Sequence, residues 1–410
     1  MAHILYLTQV LPYPHHSGAK IRQYYVLRHL TSRHEVTLVS FVRDDDKPEH
    51  VAHLASFCHA VHTVPMRRSR LRDVRAVIGS ALTGQPIIIL RDEIREMHDQ
   101  LRSLVQESDF DVIHADQTAM VQYALYAQAQ AANAPRLLLD AHNAMYRIPE
   151  RMAAQTRNPV LRWGLRREAR LLQRYERQAY ARFDHVVFVT EVDLEVLGQQ
   201  ILDQRPATAD GAPPFSAIPI CVDPDDEPLV ERVSQPGAIT HLGTMFWPPN
   251  VEGVLWFARE VFPLVRAEVP EARFVIVGKN PPPEVQALAE EPGMEVTGYV
   301  VDPDPYLAET AAFIVPLHSG GGMRVKIVDA WRWGMPIVTT SIGAEGIDVR
   351  DGENLLLADS AEHFAQAVVR LLREPELGER LRENGRRWVE EHYNWRTVYA
   401  RWDEVYERLL

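Results

Sequence analysis

The chain has 410 residues, enough for two or three domains, of which two is the simpler reading. With 46% hydrophobic and 24% charged residues it is neither a disordered nor a fibrous chain. Its two cysteines, Cys58 and Cys221, exclude a disulfide framework or a cysteine-rich zinc site. A net charge of -12 argues against a general nucleic-acid binder, and no apolar run reaches the roughly 18 residues that a membrane-spanning helix needs.

The opening MAHILYLTQV lacks a basic flank and a cleavage site, so it reads as a first strand rather than a signal peptide, with the cytoplasm as the expected compartment. Further strand-like runs follow at 36–42, 60–64, 111–114, 136–140 and 185–190. Most are continuous apolar stretches, the pattern of strands buried on both faces of a parallel sheet. Amphipathic stretches such as 20–30 and 117–131 fill the gaps as helices. Residues 203–237 then carry seven prolines around one short strand at 216–220. Proline at that density sustains neither helix nor central strand, so the segment marks a domain boundary. The alternation restarts with strands at 239–243, 273–278, 295–298, 312–317, 336–340 and 355–358. Helices are expected at 251–265 and 324–333, and nearly continuous helix from 361 to 410, broken near Pro375 and at Tyr393-Asn394. The expected division is 1–215, 216–392 and a closing helix at 393–410. Two α/β halves of this kind imply a ligand cleft between them. Charge divides the same way: residues 1–200 carry +3 and residues 201–410 carry -15.

Three places could carry chemistry. The first strand runs into a loop of small residues that opens a helix at Gly18, where backbone N–H groups and the helix dipole favour an anion. An ordinary strand–helix turn would look the same. His142 stands just beyond a buried strand, in Asp140-Ala141-His142-Asn143. There it meets a substrate hydroxyl or is simply satisfied by its neighbours. The densest signal is Ser319-Gly320-Gly321-Gly322-Met323-Arg324-Val325-Lys326-Ile327-Val328-Asp329. Glycines bring backbone amides close to a ligand, and Arg324 and Lys326 sit at a helix start whose dipole opposes their charge, a conflict that a bound diphosphate would remove. Asp329 is placed to accept hydrogen bonds from ribose hydroxyls. The block is not a P-loop, because no Gly-Lys-Ser/Thr follows, and no G-x-G-x-x-G after the first strand points to a dehydrogenase.

These residues resemble the family-4 glycosyltransferases of the GT-B fold. The resemblance runs from the Gly18 loop and His142 through the Gly320–326 block. It continues in Gly334-Met335-Pro336, Gly343-Ala344-Glu345-Gly346 and Asp351-Gly352-Glu353-Asn354, and ends at Tyr393-Asn394-Trp395. It implies two Rossmann-like domains facing each other across a cleft, a nucleotide-sugar donor, retention of anomeric configuration, and no required metal or cofactor. By the same resemblance His142 contacts the donor sugar, Arg324 and Lys326 hold the diphosphate, Asp329 holds the ribose, and Gly298-Tyr299-Val300 borders the base. The closing helix returns to the first domain. Two departures stand out. Gly321 occupies a position where many members carry an acid, and the stretch Gly243-Thr244-Met245-Phe246-Trp247-Pro248-Pro249-Asn250 lacks the usual basic pair. Arg324 and Lys326, with Lys279, must then neutralise the diphosphate. A subgroup with this pattern is linked to surface-polysaccharide assembly. The expected activity is therefore transfer of a hexose to a glycan, lipid-linked or small-molecule acceptor. A nucleotide-sugar epimerase and a catalytically silent glycan- or lipid-binding scaffold are the alternatives.

Arginines cluster at 67, 68, 70, 72 and 75 and at 157, 162, 166, 167, 170, 174 and 177. The second group lies on a helix that also carries Leu161, Trp163, Leu165, Leu171 and Leu172. Such a helix either packs on its leucine side or makes a peripheral contact with anionic lipid. Asp44-Asp45-Asp46 and Asp302-Pro303-Asp304 read as solvated turns rather than metal sites, and Trp247 as a loop-packing residue or a sugar platform.

Overall fold

The computed structural model describes the chain except for His16, Arg68, residues 205–213, 227–228 and 234–236, Phe246 and the side chain of Gln155. Pro206, Pro213, Pro228 and Pro236 of the proline-rich stretch therefore lie outside the described residues, as does Arg68. The chain divides into two compact units, one formed by Met1–Cys221 with Trp395–Leu410, the other by Val222–Asn394. The first takes in more than the proline-rich stretch suggested. The strand expected at 216–220 is Phe215–Ala217, and its pairing with the preceding strand draws the segment through Cys221 into the first unit.

In the first unit the apolar runs become β1 (His3–Thr8), β2 (Glu35–Val42), β3 (Ala60–Pro65), β4 (Val112–Asp116), β5 (Arg136–Ala141), β6 (His185–Phe188) and β7 (Phe215–Ala217). All pair in parallel, in the order β3-β2-β1-β4-β5-β6-β7. The order reverses between β1 and β4, so the loops leaving those two strands splay apart, the place where open α/β sheets receive ligands. One core cluster includes Leu5, Phe41, Ile113, Leu139 and Phe188, while Ile4, Leu38 and Leu138, also fully buried, alternate with them along the strands. The helix expected from residue 117 starts later. Thr118–Met120 is a 3-10 turn leading into Val121–Gln130, and Gln117 stands outside it with a left-handed φ of 71°.

The returning segment Trp395–Leu410 is buried on this unit. Trp402, Tyr399 and Tyr406 are almost fully enclosed, and Tyr406 Oη lies 2.8 Å from His114 Nδ1. Asp403 Oδ1 lies 2.8 Å from His29 Nε2, and the Cys221 N–H donates to Tyr399 Oη at 3.1 Å.

The second unit repeats the plan with β8 (Ala238–Leu242), β9 (Arg273–Val277), β10 (Met294–Gly298), β11 (Thr310–Val315), β12 (Ile337–Thr339) and β13 (Leu356–Leu357), all parallel, in the order β10-β9-β8-β11-β12-β13. Here the reversal falls between β8 and β11, so the loops after those strands are the ones placed for ligands. Its core includes Ile239, Phe257, Phe274, Ile314 and Phe364.

Candidate functional site

In the first unit the strand register creates an electrostatic problem. Asp116 closes β4 and is paired with Asp140 on β5, which puts two fully buried carboxylates side by side. Buried like charges are costly unless each is compensated. Arg22, from the helix Gly18–Thr31, answers the first. Its Nε lies 2.7 Å from Asp140 Oδ2 and its Nη2 2.7 Å from Oδ1, and its Nη1 donates to the carbonyls of Ile218 at 2.7 Å and Pro219 at 3.0 Å. The guanidinium also lies 5.4 Å from the Trp402 ring centre. Burial opposes ionisation of Asp140, but Arg22 and then His142 outweigh it and hold its carboxyl below the usual range. Asp116 has no such cation. Burial pushes its carboxyl up, and His142 only partly pulls it back.

His142 is the first residue past β5, with Nε2 2.8 Å from Asp116 Oδ1 and Nδ1 3.2 Å from the Gln117 amide nitrogen. The ring is thus held between a carboxylate on one side and an amide on the other. Gln23 donates to the second oxygen of Asp116. Asp116, Asp140 and His142 bring metal-ligating atoms within 4.8 Å of one another. The same atoms, however, are already engaged by Arg22, Gln23 and each other, so the set fits a hydrogen-bonded network better than an ion. Gly18 is the first helical residue. The turn before it is pinned by stacking of Tyr13 on His53 and His15 on Tyr24; among the described residues the first turn holds no acid, and Ser17 at the N-cap makes no side-chain cap hydrogen bond.

In the second unit the glycine block joins β11 to the helix Val325–Arg332. Gly320 and Gly322 have φ of 115° and 73°, which a side chain would resist, and a Cβ on Gly320 would also press on Arg324 and Trp247. Trp247 therefore packs on this loop. Arg324 is buried and folds back on the block, its Nη1 donating to the carbonyls of Gly321 (2.5 Å) and Gly322 (2.9 Å). Its Nη2 lies 3.7 Å from Glu345 Oε2. Lys326 reaches across to the turn after β8. Its Nζ donates to Asn250 Oδ1 at 2.9 Å and lies 3.5 Å from His241 Nε2, whose Nδ1 lies 3.1 Å from the Ile314 carbonyl. A Cβ on Gly243 would come within 2.8 Å of that ammonium. Burial, and then the charge of Arg324, push the Lys326 pKa down to about 7. Burial and then Lys326 push His241 well below its ordinary value.

Lys326, from the first turn of the helix Val325–Arg332, thus comes through space against the 243–250 stretch, which has no basic residue of its own. His241, Asn250, Asp116 and Gln117 were not among the residues the sequence singled out as ligand-binding. Asn250 carried a signal in its Pro-Pro-Asn stretch; His241 sits inside an apolar strand and carried none. The other expected residues are less tightly gathered. Lys279 is exposed, and its carbonyl accepts from Met245 N–H at 3.0 Å. Gly298 ends the edge strand β10 with φ of 71°, Tyr299 is exposed and Val300 packs near Val275 and Val277. Met323 is buried, and Asp329 is engaged by Arg332 Nη2 at 3.3 Å.

Arg324 and Lys326 thus gather beside the glycine block after β11, at the second unit's switch point, and in the first unit His142 follows β5 and is hydrogen-bonded to Asp116 of the switch-point strand β4. Residues 17–208 match the model of the glycosyl transferase 4-like domain and residues 236–374 that of the glycosyl transferases group 1. A 44.6 kDa protein of the cps region of Klebsiella pneumoniae is 28% identical over 170 residues, 40% of this chain and 44% of the relative. The Staphylococcus aureus capsular polysaccharide biosynthesis glycosyltransferase CapM is 23% identical over 125 residues, 30% of this chain and 33% of the relative. Each match spans less than half of the curated relative. Among solved structures, Anabaena Alr3699/HepE, in complex with UDP and glucose, superposes with a TM-score of 0.65 at 13% identity over the whole of both chains, a likeness of fold. With both halves of the chain matched by glycosyltransferase models and the whole of it sharing this fold, the protein belongs to the GT-B glycosyltransferases of the group 1 and 4-like family.

Proposed function

We propose that the chain is a retaining hexosyltransferase that moves a sugar from a nucleotide-diphosphate donor to a glycan, lipid-linked or small-molecule acceptor in surface-polysaccharide assembly, acting from the cytoplasm in association with the membrane. One observation carries the reading. Arg324 and Lys326 converge on glycine-rich turns where their partners are mostly neutral, the carbonyls of Gly321 and Gly322, Asn250 and His241. Such a cluster is electrostatically complementary to a diphosphate. The family membership and the capsular polysaccharide biosynthesis named for CapM support it, and the UDP and glucose held by HepE make UDP-glucose the first donor to try.

In this reaction the bond from the anomeric carbon to the diphosphate oxygen breaks. The acceptor oxygen bonds to the same face of that carbon, and its proton passes to the departing phosphate. Arg324 and Lys326 neutralise the charge that develops on the leaving group, with no cofactor required. Asp329 takes the ribose and the segment 298–300 borders the base. Lys279 adds charge beside the diphosphate, and the Gly18 helix start contributes to holding the donor. His142 meets the sugar once Gln117 yields its hydrogen bond. Donor hydrolysis across UDP-, GDP- and ADP-sugars tests the reading. Arg324→Ala and Lys326→Ala are each expected to weaken donor binding and slow turnover, and a chain in which both substitutions leave both quantities unchanged does not work this way.

A further inference from the structure

The helix Arg70–Thr83 is amphipathic in the sense opposite to that of a helix in a water-exposed monomer. Its inward residues are small: Ala76 is 3% exposed and Ser80 0%, and a Cβ on Gly79 would already touch Leu90. Its large apolar residues point outward, with Leu71 72% and Leu82 82% exposed and Val74, Val77 and Ile78 more than half exposed. Positions 71, 74, 78 and 82 fall on one stripe. The orientation is fixed, because Arg167 of the neighbouring helix Pro159–Tyr180 donates to Ser80 Oγ at 2.9 Å and to its carbonyl at 2.6 Å. That longer helix adds to the pattern. Leu172 is core, but Val160, Leu161 and Trp163 in its first turns stand in solvent.

Around these apolar residues the charge is predominantly positive. Arg67, Arg70, Arg75, Arg157, Arg166 and Arg170 are exposed. The acids in the same two stretches are Asp73 and Glu168, and Glu168 is turned onto the Ile87 N–H at 2.7 Å. We infer that this face of the first unit docks on an anionic membrane surface. The stripe at Leu71, Val74, Ile78 and Leu82 enters the headgroup–acyl boundary, and the arginines pair with lipid phosphates. A second copy of the chain fits less well, because a two-fold contact through this face sets arginine against arginine. The inference rests on the membrane-side setting proposed above, and the two fail separately, since docking is read on vesicles and chemistry on donor hydrolysis.

The test is co-sedimentation of the full chain with vesicles of phosphatidylcholine alone and of phosphatidylcholine mixed with phosphatidylglycerol, at low and high salt. Expected is binding to the mixed vesicles at low salt and weak binding to the neutral ones. Leu71→Ser with Leu82→Ser should lower binding by about tenfold or more. The double variant should keep its far-ultraviolet dichroism and its rate of donor hydrolysis. Arg70→Gln with Arg75→Gln should flatten the salt dependence. Equal binding to neutral vesicles, no binding at low salt, or binding untouched by the leucine substitutions overturns the inference. So does a wild-type dimer in sedimentation velocity that the leucine substitutions dissolve.

Discussion

The two units share a sheet plan but treat charge in opposite ways at their switch points. In the first, the two buried carboxylates are each engaged inside the unit: Asp140 has Arg22, and Asp116 has His142 and Gln23. In the second, two cations gather on the loop: Arg324 donates to the carbonyls of Gly321 and Gly322 and lies 3.7 Å from Glu345, and Lys326 donates to Asn250. A closed network stabilises and orients. A cluster with surplus positive charge stores electrostatic free energy that an anion releases. Burial, and then the charge of Arg324, depress the Lys326 pKa, whereas at Arg22 burial alone would lower the pKa and Asp140 reverses the effect.

The contrast can be broken most forcefully at Arg22. Arg22→Met leaves Asp140 buried without its cation, and chemical denaturation should show a loss of about 3–5 kcal/mol. At Lys326 the expectation reverses. Lys326→Met should cost donor binding and turnover about 100-fold together, while the melting temperature holds or rises, because a cation destabilised by its surroundings has been removed. A third measurement follows the proton. Free Lys326 loses its proton near pH 7, whereas an ammonium beside phosphate keeps it to higher pH. Donor binding above pH 7 therefore takes up a proton, and calorimetry should find affinity flat below 7 and falling by up to about tenfold per pH unit above it. Lys326→Arg should abolish that slope. The smallest effect is expected at Gln117, whose left-handed backbone costs on the order of 1 kcal/mol. Gln117→Gly should recover part of that stability in denaturation, yet alter the KM for donor by freeing His142 Nδ1.

Much of this arrangement is written in runs of adjacent residues, and that part was legible. Continuous apolar segments became the parallel strands, and the helical segments after residue 361 break at Pro375 and around Asn394 as the sequence implies. The Gly320–Arg324 block is local, so its loop was legible too. What sequence conceals is partnership through space. Asp116 and His142 are 26 residues apart and meet only because β4 and β5 run in register. His241 looks like any strand residue until Lys326 arrives from 85 residues away. Arg324 and Lys326 do sit together, but the conflict with the helix dipole is eased by the loop's own carbonyls, which composition does not reveal. The Arg70–Thr83 helix shows the complementary limit. Its arginines are conspicuous in sequence, but which face turns outward is decided by Arg167 holding Ser80.

The placement of Trp395–Leu410 has a consequence for biosynthesis. Unit one is discontinuous, with the whole of the second unit inserted between Cys221 and Trp395. As the chain emerges from the ribosome, β1 to β7 appear first, but Trp402 beside Arg22, Tyr406 beside His114 and Tyr399 beside Cys221 follow only after the second unit has been made. The buried ion pair of Arg22 and Asp140 thus waits for its aromatic neighbour through the synthesis of more than a third of the polypeptide. The second unit, contiguous in sequence, can close its core before the older one is complete.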